Sequence, residues 1–377
     1  MKKAFFLFIF LLFPAISFAF STEFLGLEIH GFIDARYGQR VREDRNEKDQ
    51  ILGEIRFQTD ITGQLRDIIF QVKADFLYDG VCDDRKLDLE GTRSPIDLRE
   101  ANISLSPFYF IDIKIGRQIL TWGTGDLIFL NDLFPKDWKS FFIGREEQYL
   151  KSPSDAIFIS LFPSFANIDI AYTPKFDPDR YVKGERISFW NPIYRRRTGR
   201  RNVLNAIEPN NWFKDDEIAV RIYRNIRGWE AAIYGYYGFW KDPLGFDINK
   251  RRPFFPRLLS YGASIRGTYL GGIVNSEFSR YVSKQDERGD DPFIPNSEIR
   301  FLIGYEREIA KDFTARFQYY LECMEDYSRY KETLPSGYVS KDEFRYLFTM
   351  RLTKLLMSQD LLLCLFTYLV HQIRMPI

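Results

Sequence analysis

The sequence predicts an all-β fold, a transmembrane antiparallel β-barrel of roughly 16–18 strands. Three observations carry that expectation. Apolar and polar residues alternate with period two along the chain, as in strands with one apolar and one polar face. Connections alternate strictly between short and long, the asymmetry of periplasmic turns and extracellular loops. Aromatic residues reach 17% although mean hydropathy is −0.29 and 28% of residues are charged. Aromatic girdles on a lipid-facing surface and charges in a lumen produce that combination.

The chain opens like an export signal. Lys2 and Lys3 precede an apolar stretch from Ala4 to Ile16, broken only by Pro14, and Ser17-Phe18-Ala19 offers a cleavage site after Ala19. Residues 1–19 are therefore expected to be removed, and 20–377 to form the barrel. Removing the leader takes away two lysines and no acid, so the formal charge goes from +1 to −1, with no basic footprint for nucleic acid. No later apolar run is long enough for a membrane helix, which needs about 20 residues.

The strands follow in order. After 27–38, residues 51–62 place Ile51, Ile55, Phe57 and Ile61 on one face and Glu54, Arg56, Gln58 and Asp60 on the other. Residues 65–78 repeat this with Ile68, Phe70, Val72, Ala74 and Phe76 against Asp67, Gln71, Lys73 and Asp75. Strands are expected next at 96–106, 109–121, 155–162, 168–176, 217–226, 229–240, 258–270, 273–284, 297–310, 313–327, 343–356 and 360–370. Short links fall at 62–64, 106–108, 163–167, 227–228, 271–272, 311–312 and 357–359. Long charged loops fall at 39–50, 79–94, 123–153, 177–216, 241–257, 285–295 and 328–341. Arg117 breaks the pattern, sharing the phase of Ile111, Ile113 and Ile115; a bulge or an interfacial position would each explain it.

This count gives about fifteen strands, whereas bacterial barrels carry even numbers. The ending from His371 to Ile377 also lacks a terminal aromatic. The expectation is a barrel that is C-terminally incomplete in this chain.

The segment from Leu98 to Asp137 carries a family resemblance. Leu98-Arg-Glu-Ala101 leads to Gly116-Arg-Gln118, then Trp122-Gly-Thr-Gly-Asp126, then Asn131-Asp-Leu-Phe-Pro-Lys-Asp137. This resembles an uncharacterised family of proteobacterial outer-membrane proteins related in style to porins and alginate-export channels. Phe134 departs from that pattern, where Asn is usual before the proline, and so do the missing closing strands. The resemblance implies an outer-membrane channel and names no firm substrate.

Two groups of residues are candidates for function. Residues 123–153 follow the fifth expected strand, the position of the pore-narrowing loop in general porins, and carry Asp126, Asp132, Asp137, Arg145, Glu146 and Glu147. Arg36, Arg56, Arg221, Arg266, Arg300 and Arg316, with Arg345 and Arg351, fall on polar phases and are expected to line the pore. They either bias it toward anions or pair with Glu54, Asp60, Glu298 and Glu322. The run Arg195 to Arg201 could meet lipopolysaccharide.

Catalysis is not expected. His30 and His371 are the only histidines, and no nucleophile motif, phosphate loop or metal spacing is present. Cys82, Cys323 and Cys364 form no paired set, so no cofactor is expected. The function implied is passive diffusion of small solutes, with a bias toward anions. The alternative is a non-conducting surface barrel that recognises a partner through its long loops. Expected partners are outer-membrane lipid, lipopolysaccharide, small solutes and the barrel-assembly machinery.

Overall fold

A computed structural model describes residues 4–9, 16–24, 26–82, 95–191, 196–359 and 361–371. Residues 1–3 and 10–15 of the signal segment, the loop tip 83–94, Arg195 of the basic run and the tail 372–377 lie outside the described residues. Among the described residues seventeen strands join in one antiparallel sheet.

The N-terminal segment supplies β1 (Ala4–Ile9) and β2 (Ile16–Phe24). A meander follows: β3 (Leu27–Gln39), β4 (Gln50–Leu65), β5 (Ile68–Asp79), β6 (Ile96–Phe108), β7 (Ile111–Ile119), β8 (Pro153–Leu161) and β9 (Asn167–Thr173). The long loop after β9 holds a separate ribbon, β10 (Phe189–Asn191) with β11 (Arg196–Thr198). The meander resumes with β12 (Glu217–Ile226) and β13 (Trp229–Phe239), and a second ribbon pairs β14 (Gly245–Asp247) with β15 (Arg252–Phe254). It ends with β16 (Arg257–Tyr269), β17 (Gly272–Ser283), β18 (Glu298–Ala310), β19 (Phe313–Met324), β20 (Phe344–Leu356) and β21 (Leu361–His371).

Pairing runs around a ring. Each barrel strand from β2 to β21 bonds to the next, with β9 bonding β12 and β13 bonding β16. β21 pairs with β1, Ala4 opposite Val370, while β2 pairs with β3. β3 and β21 run the same way, so β1 and β2 descend in a common direction between the two ends of the ring. Taken as one stave, they complete a sixteen-strand ring, although β1 and the first part of β2 belong to the segment 1–19 expected to be cleaved.

All fifteen expected strands coincide with barrel strands. The stretch before residue 27 was not expected to be strand, because its apolar run carries no alternation to read. Two turns also sit later than expected. β4 runs through 62–64 to Leu65, and the chain reverses at Arg66-Asp67; β6 extends to Phe108. At the Arg227-Gly228 and Leu270-Gly271 turns both residues have positive φ, the geometry that matches the twist of a two-residue hairpin.

Burial is inverted relative to a soluble sheet. Along β4, Glu54 and Arg56 are each 1% exposed, whereas Ile55 is 54% and Phe57 36% exposed. Ile103, Ile157, Ile233, Ile265, Ile303 and Phe348 continue the exposed apolar belt on other strands. An outward face of isoleucine and aromatic rings around a charged interior is the surface of a barrel solvated by lipid. Arg117 stays on this outward phase without a bulge in β7–β8 pairing, and forms an ion pair with Asp155 opposite it at 3.3 Å. Of the two explanations, the interfacial position fits. Gly116 beside it has φ of +119°, and a Cβ there would lie 2.4 Å from the Ala101 carbonyl oxygen, so this pair of strands tolerates only glycine.

Replacing Ile303 with Arg is expected to destabilise the barrel by about 2–4 kcal/mol in lipid vesicles, read as a lowered urea midpoint. A change within about 0.5 kcal/mol, normal for a water-exposed site, would contradict a lipid-facing belt.

Candidate functional site: a loop braced across the barrel interior

The connection between β7 and β8, residues 120–152, folds into the barrel. Its one helical stretch, α1 (Trp138–Phe142), is capped by Asp137, which accepts from the Ser140 N–H at 2.8 Å. A short 3-10 turn, Glu147–Leu150, then leads back to the wall.

Glu277 on β17 anchors the first half of this loop. It is 1% exposed and accepts five hydrogen bonds. Thr124 N–H, Thr124 Oγ1 and Gly125 N–H donate to its Oε1. Asn131 donates to its Oε2 through Nδ2 at 2.8 Å and through the backbone at 3.3 Å. Tyr281, four residues along the same face of β17, donates to the Leu130 carbonyl at 2.6 Å. A buried carboxylate is stable only with such a set of donors. Trp122 and Phe134 close the base of the loop edge to face at 4.8 Å, with Phe158 and Tyr234 against the same indole.

The second half meets two other parts of the wall. On one side Arg145 is ion-paired with Glu54, and Arg36 donates to Glu146 at 2.6 Å. Tyr149 lies between two guanidinium groups, Arg56 at 3.9 Å and Arg99 at 5.0 Å from its ring centre, and its hydroxyl accepts from Gln58 at 3.0 Å. On the other side Asp126 accepts from Arg351 at 2.8 Å and lies 3.3 Å from Arg316, while Glu147 accepts from Arg351 at 2.6 Å. A loop that leaves the barrel between β7 and β8 thus touches β3 and β4, β17, and β19 and β20. Those contacts cross the interior.

The next loop locks onto it. Arg180 donates to both carboxylate oxygens of Asp97 at 2.8 and 2.9 Å and to Asp137 at 3.2 Å. Asp179 accepts from Lys136 N–H at 2.7 Å and from the Trp138 indole at 2.9 Å. Lys136 itself donates to Asp132 at 2.9 Å, and Thr121 donates to the same carboxylate at 2.8 Å.

The structure places the expected residues unevenly. Asp126, Arg145, Glu146 and Glu147 meet the wall arginines Arg36, Arg316 and Arg351 and the acid Glu54. Asp132 and Asp137 act within the loops. Arg56 is held by Glu54 and Asp75. Arg300 pairs with Glu298 at 3.0 Å and sits 4.0 Å over the Tyr281 ring. Arg221 donates to Glu230 at 2.6 Å, away from the loop. Arg266 is exposed and forms no ion pair among the described residues. Sequence reasoning missed Glu277, Tyr149, Arg99 and Arg180. Glu277 has the polar phase of its strand as a signal, but its partners lie some 150 positions away.

No family model matches the chain, and no curated protein does. Among solved structures it is similar to OprB of Pseudomonas putida at 12% identity, covering 91% of each chain with a TM-score of 0.44. It is similar to a loop-deletion mutant of OmpT, an outer-membrane protein of Vibrio cholerae, at 9% identity, covering 92% of this chain and 99% of that one, TM-score 0.47. The outer-membrane channel DcaP of Acinetobacter baumannii is similar at 8% identity over 93% and 98%, TM-score 0.43.

Two expectations follow from the brace. Replacing Glu277 with Leu strands its donors, each worth about 1–3 kcal/mol when left unpaired. Amide exchange over 123–132 should then accelerate at least about tenfold, with β-strand protection unchanged; unchanged exchange in the loop would show that Glu277 does not hold it.

The second concerns acid. A hydrogen bond from Arg351 holds the Glu147 carboxyl below its ordinary range. Burial opposes ionisation of Asp137, but Arg180, Lys139 and Arg145 override it and lower its pKa as well. A carboxylate lowered in the fold contributes stability that is present above its unfolded pKa and lost as pH falls through the folded one. Protection factors in 126–150, exchange rates corrected for the intrinsic effect of pH, should therefore fall only below the ordinary carboxylate range, near about pH 3, and stay flat through neutral pH. Loosening near neutral pH would contradict these two carboxylates as the anchors.

Proposed function

We propose that the chain is a bacterial outer-membrane channel of the porin type, through which small polar solutes diffuse passively. One observation carries this reading. The fifteen alternating staves from β3 to β21, with apolar residues outside and charged residues inside, form most of a barrel wide enough to hold an aqueous lumen. The export-type leader expected at 1–19 fits that destination, and its removal would take β1 and the first part of β2 out of the wall and leave β3 to β21 in the mature chain; the barrel-assembly machinery and lipopolysaccharide are the partners such a location supplies.

In this reading the loop at 120–152 narrows the passage, and the arginines of the wall set its electrostatics. Most of those arginines are matched by acids, so the bias toward anions that their recurrence suggests rests on Arg266. The channel is then weakly selective, and size and hydrogen bonding at the brace decide what passes. No step of this function needs a catalytic group.

Reconstitution in planar bilayers tests it. Discrete current steps are expected, and replacing residues 138–148 with a short glycine linker should raise single-channel conductance. Arg266→Gln should move the reversal potential in a salt gradient slightly toward cations, while the charge-neutral pair of changes Arg56→Gln with Asp75→Asn should not. A chain that assembles in the membrane but passes no current would favour the alternative, a surface barrel acting through its loops.

A further inference from the structure

Three loops meet beside the brace and border two adjoining open clefts. The larger, about 510 Å³, is walled by Trp138 and Phe142 of α1, Tyr181 and Trp190 of the following loop, and Phe246 of β14. The smaller, about 210 Å³, lies beneath it against Asp132, Lys136, Asp179, Lys241 and Arg300. Asp242 lines both. The larger volume falls in the range of about 300–1,000 Å³ typical of small-molecule sites.

The charges around Asp242 do not balance. Lys136 is matched by Asp132, Lys241 by Glu217 at 2.7 Å, and Arg300 by Glu298. Asp179 takes neutral donors from Lys136 N–H and the Trp138 indole, and forms no ion pair among the described residues. The Asp242 carboxylate has neither an ion pair nor a hydrogen bond among the described residues. An unpaired carboxylate at the floor of an aromatic-walled cavity attracts a cation twice over, through its charge and through the negative faces of the rings. The indole of Trp138 is fixed by its bond to Asp179, so this wall is formed before any ligand arrives.

We propose that this cleft binds a small hydrophobic cation, an ammonium or quaternary ammonium group carrying an apolar or aromatic body, with Asp242 as counter-ion. The inference deepens the channel reading by naming a solute class held at the outer end, and rests on it only for transport. Burial pushes the Asp242 carboxyl up to about 7, and neighbouring Asp179 adds to the rise while Arg300 opposes it. A proton therefore competes with the cation near neutral pH; Lys136, Lys241 and Asp132 face the same cavity and carry their own partners.

Calorimetry on the detergent-solubilised full chain tests this with benzyltrimethylammonium as probe and benzoate as the anionic control. Saturable binding of the cation is expected at about pH 8, without binding of benzoate. Asp242→Asn and Trp190→Ala should each weaken it by roughly tenfold, with heat-modifiable mobility showing that the variants still fold. In the unmodified chain, lowering the pH to about 5 should weaken binding to a similar degree, which keeps the test decisive if a variant fails to assemble. Benzoate binding as tightly as the cation, or binding indifferent to pH and to both substitutions, would overturn the proposal. Calorimetry needs no conduction, so a chain that binds the cation but passes no current would overturn the channel reading alone.

Discussion

Glu277 is a carboxylate removed from water inside a barrel, and it survives there because a loop from the opposite side of the sequence brings it five donors. The dependence runs both ways. Without the loop, Glu277 would be an uncompensated buried charge, which costs several kcal/mol. Without Glu277, the Thr124 and Asn131 groups would lose their acceptor and the first half of the loop its register. The position of α1, the Tyr149 sandwich and the Arg180 clamp are all built outward from this fixed start.

The rest of the brace repeats the same economy of charge. Asp126, Glu146 and Glu147 each end on a wall arginine, and Arg145 reverses the polarity by ending on Glu54. Low dielectric inside the barrel strengthens every pair and penalises every orphan, so the interior is ordered by complementarity rather than by apolar packing. That ordering also reduces the free charge available to sort ions. An interior rich in arginine is thus compatible with weak selectivity, because most guanidinium groups already have a carboxylate beside them.

The fold was legible because period-two alternation is a local property. Ile55 and Phe57 against Glu54 and Arg56 can be read without knowing any neighbour, and so can the turn at Arg227-Gly228. The N-terminal strands were not legible for the complementary reason, since a run such as Ala4–Ile9 is apolar on both phases. The brace was half legible. Length, charge and place marked the loop, but which groups meet is set by contacts such as Glu277 to Thr124 and Arg351 to Asp126, and one sequence carries no record of those distances. The cleft at Asp242 was invisible, because it exists only where three separate loops converge.

The central claim is that the loop at 120–152 is pinned across the interior, and a cysteine cross-link tests it most directly. Arg36 and Glu146 lie on β3 and on the loop, 110 positions apart, with their side chains in contact. In cells, Arg36→Cys combined with Glu146→Cys, in a chain whose native cysteines are replaced by serine, should be joined by a bifunctional thiol reagent about as long as the two native side chains, which alters gel mobility. A loop that projects outward would leave the two thiols unjoined by the same reagent, and that result would contradict the brace.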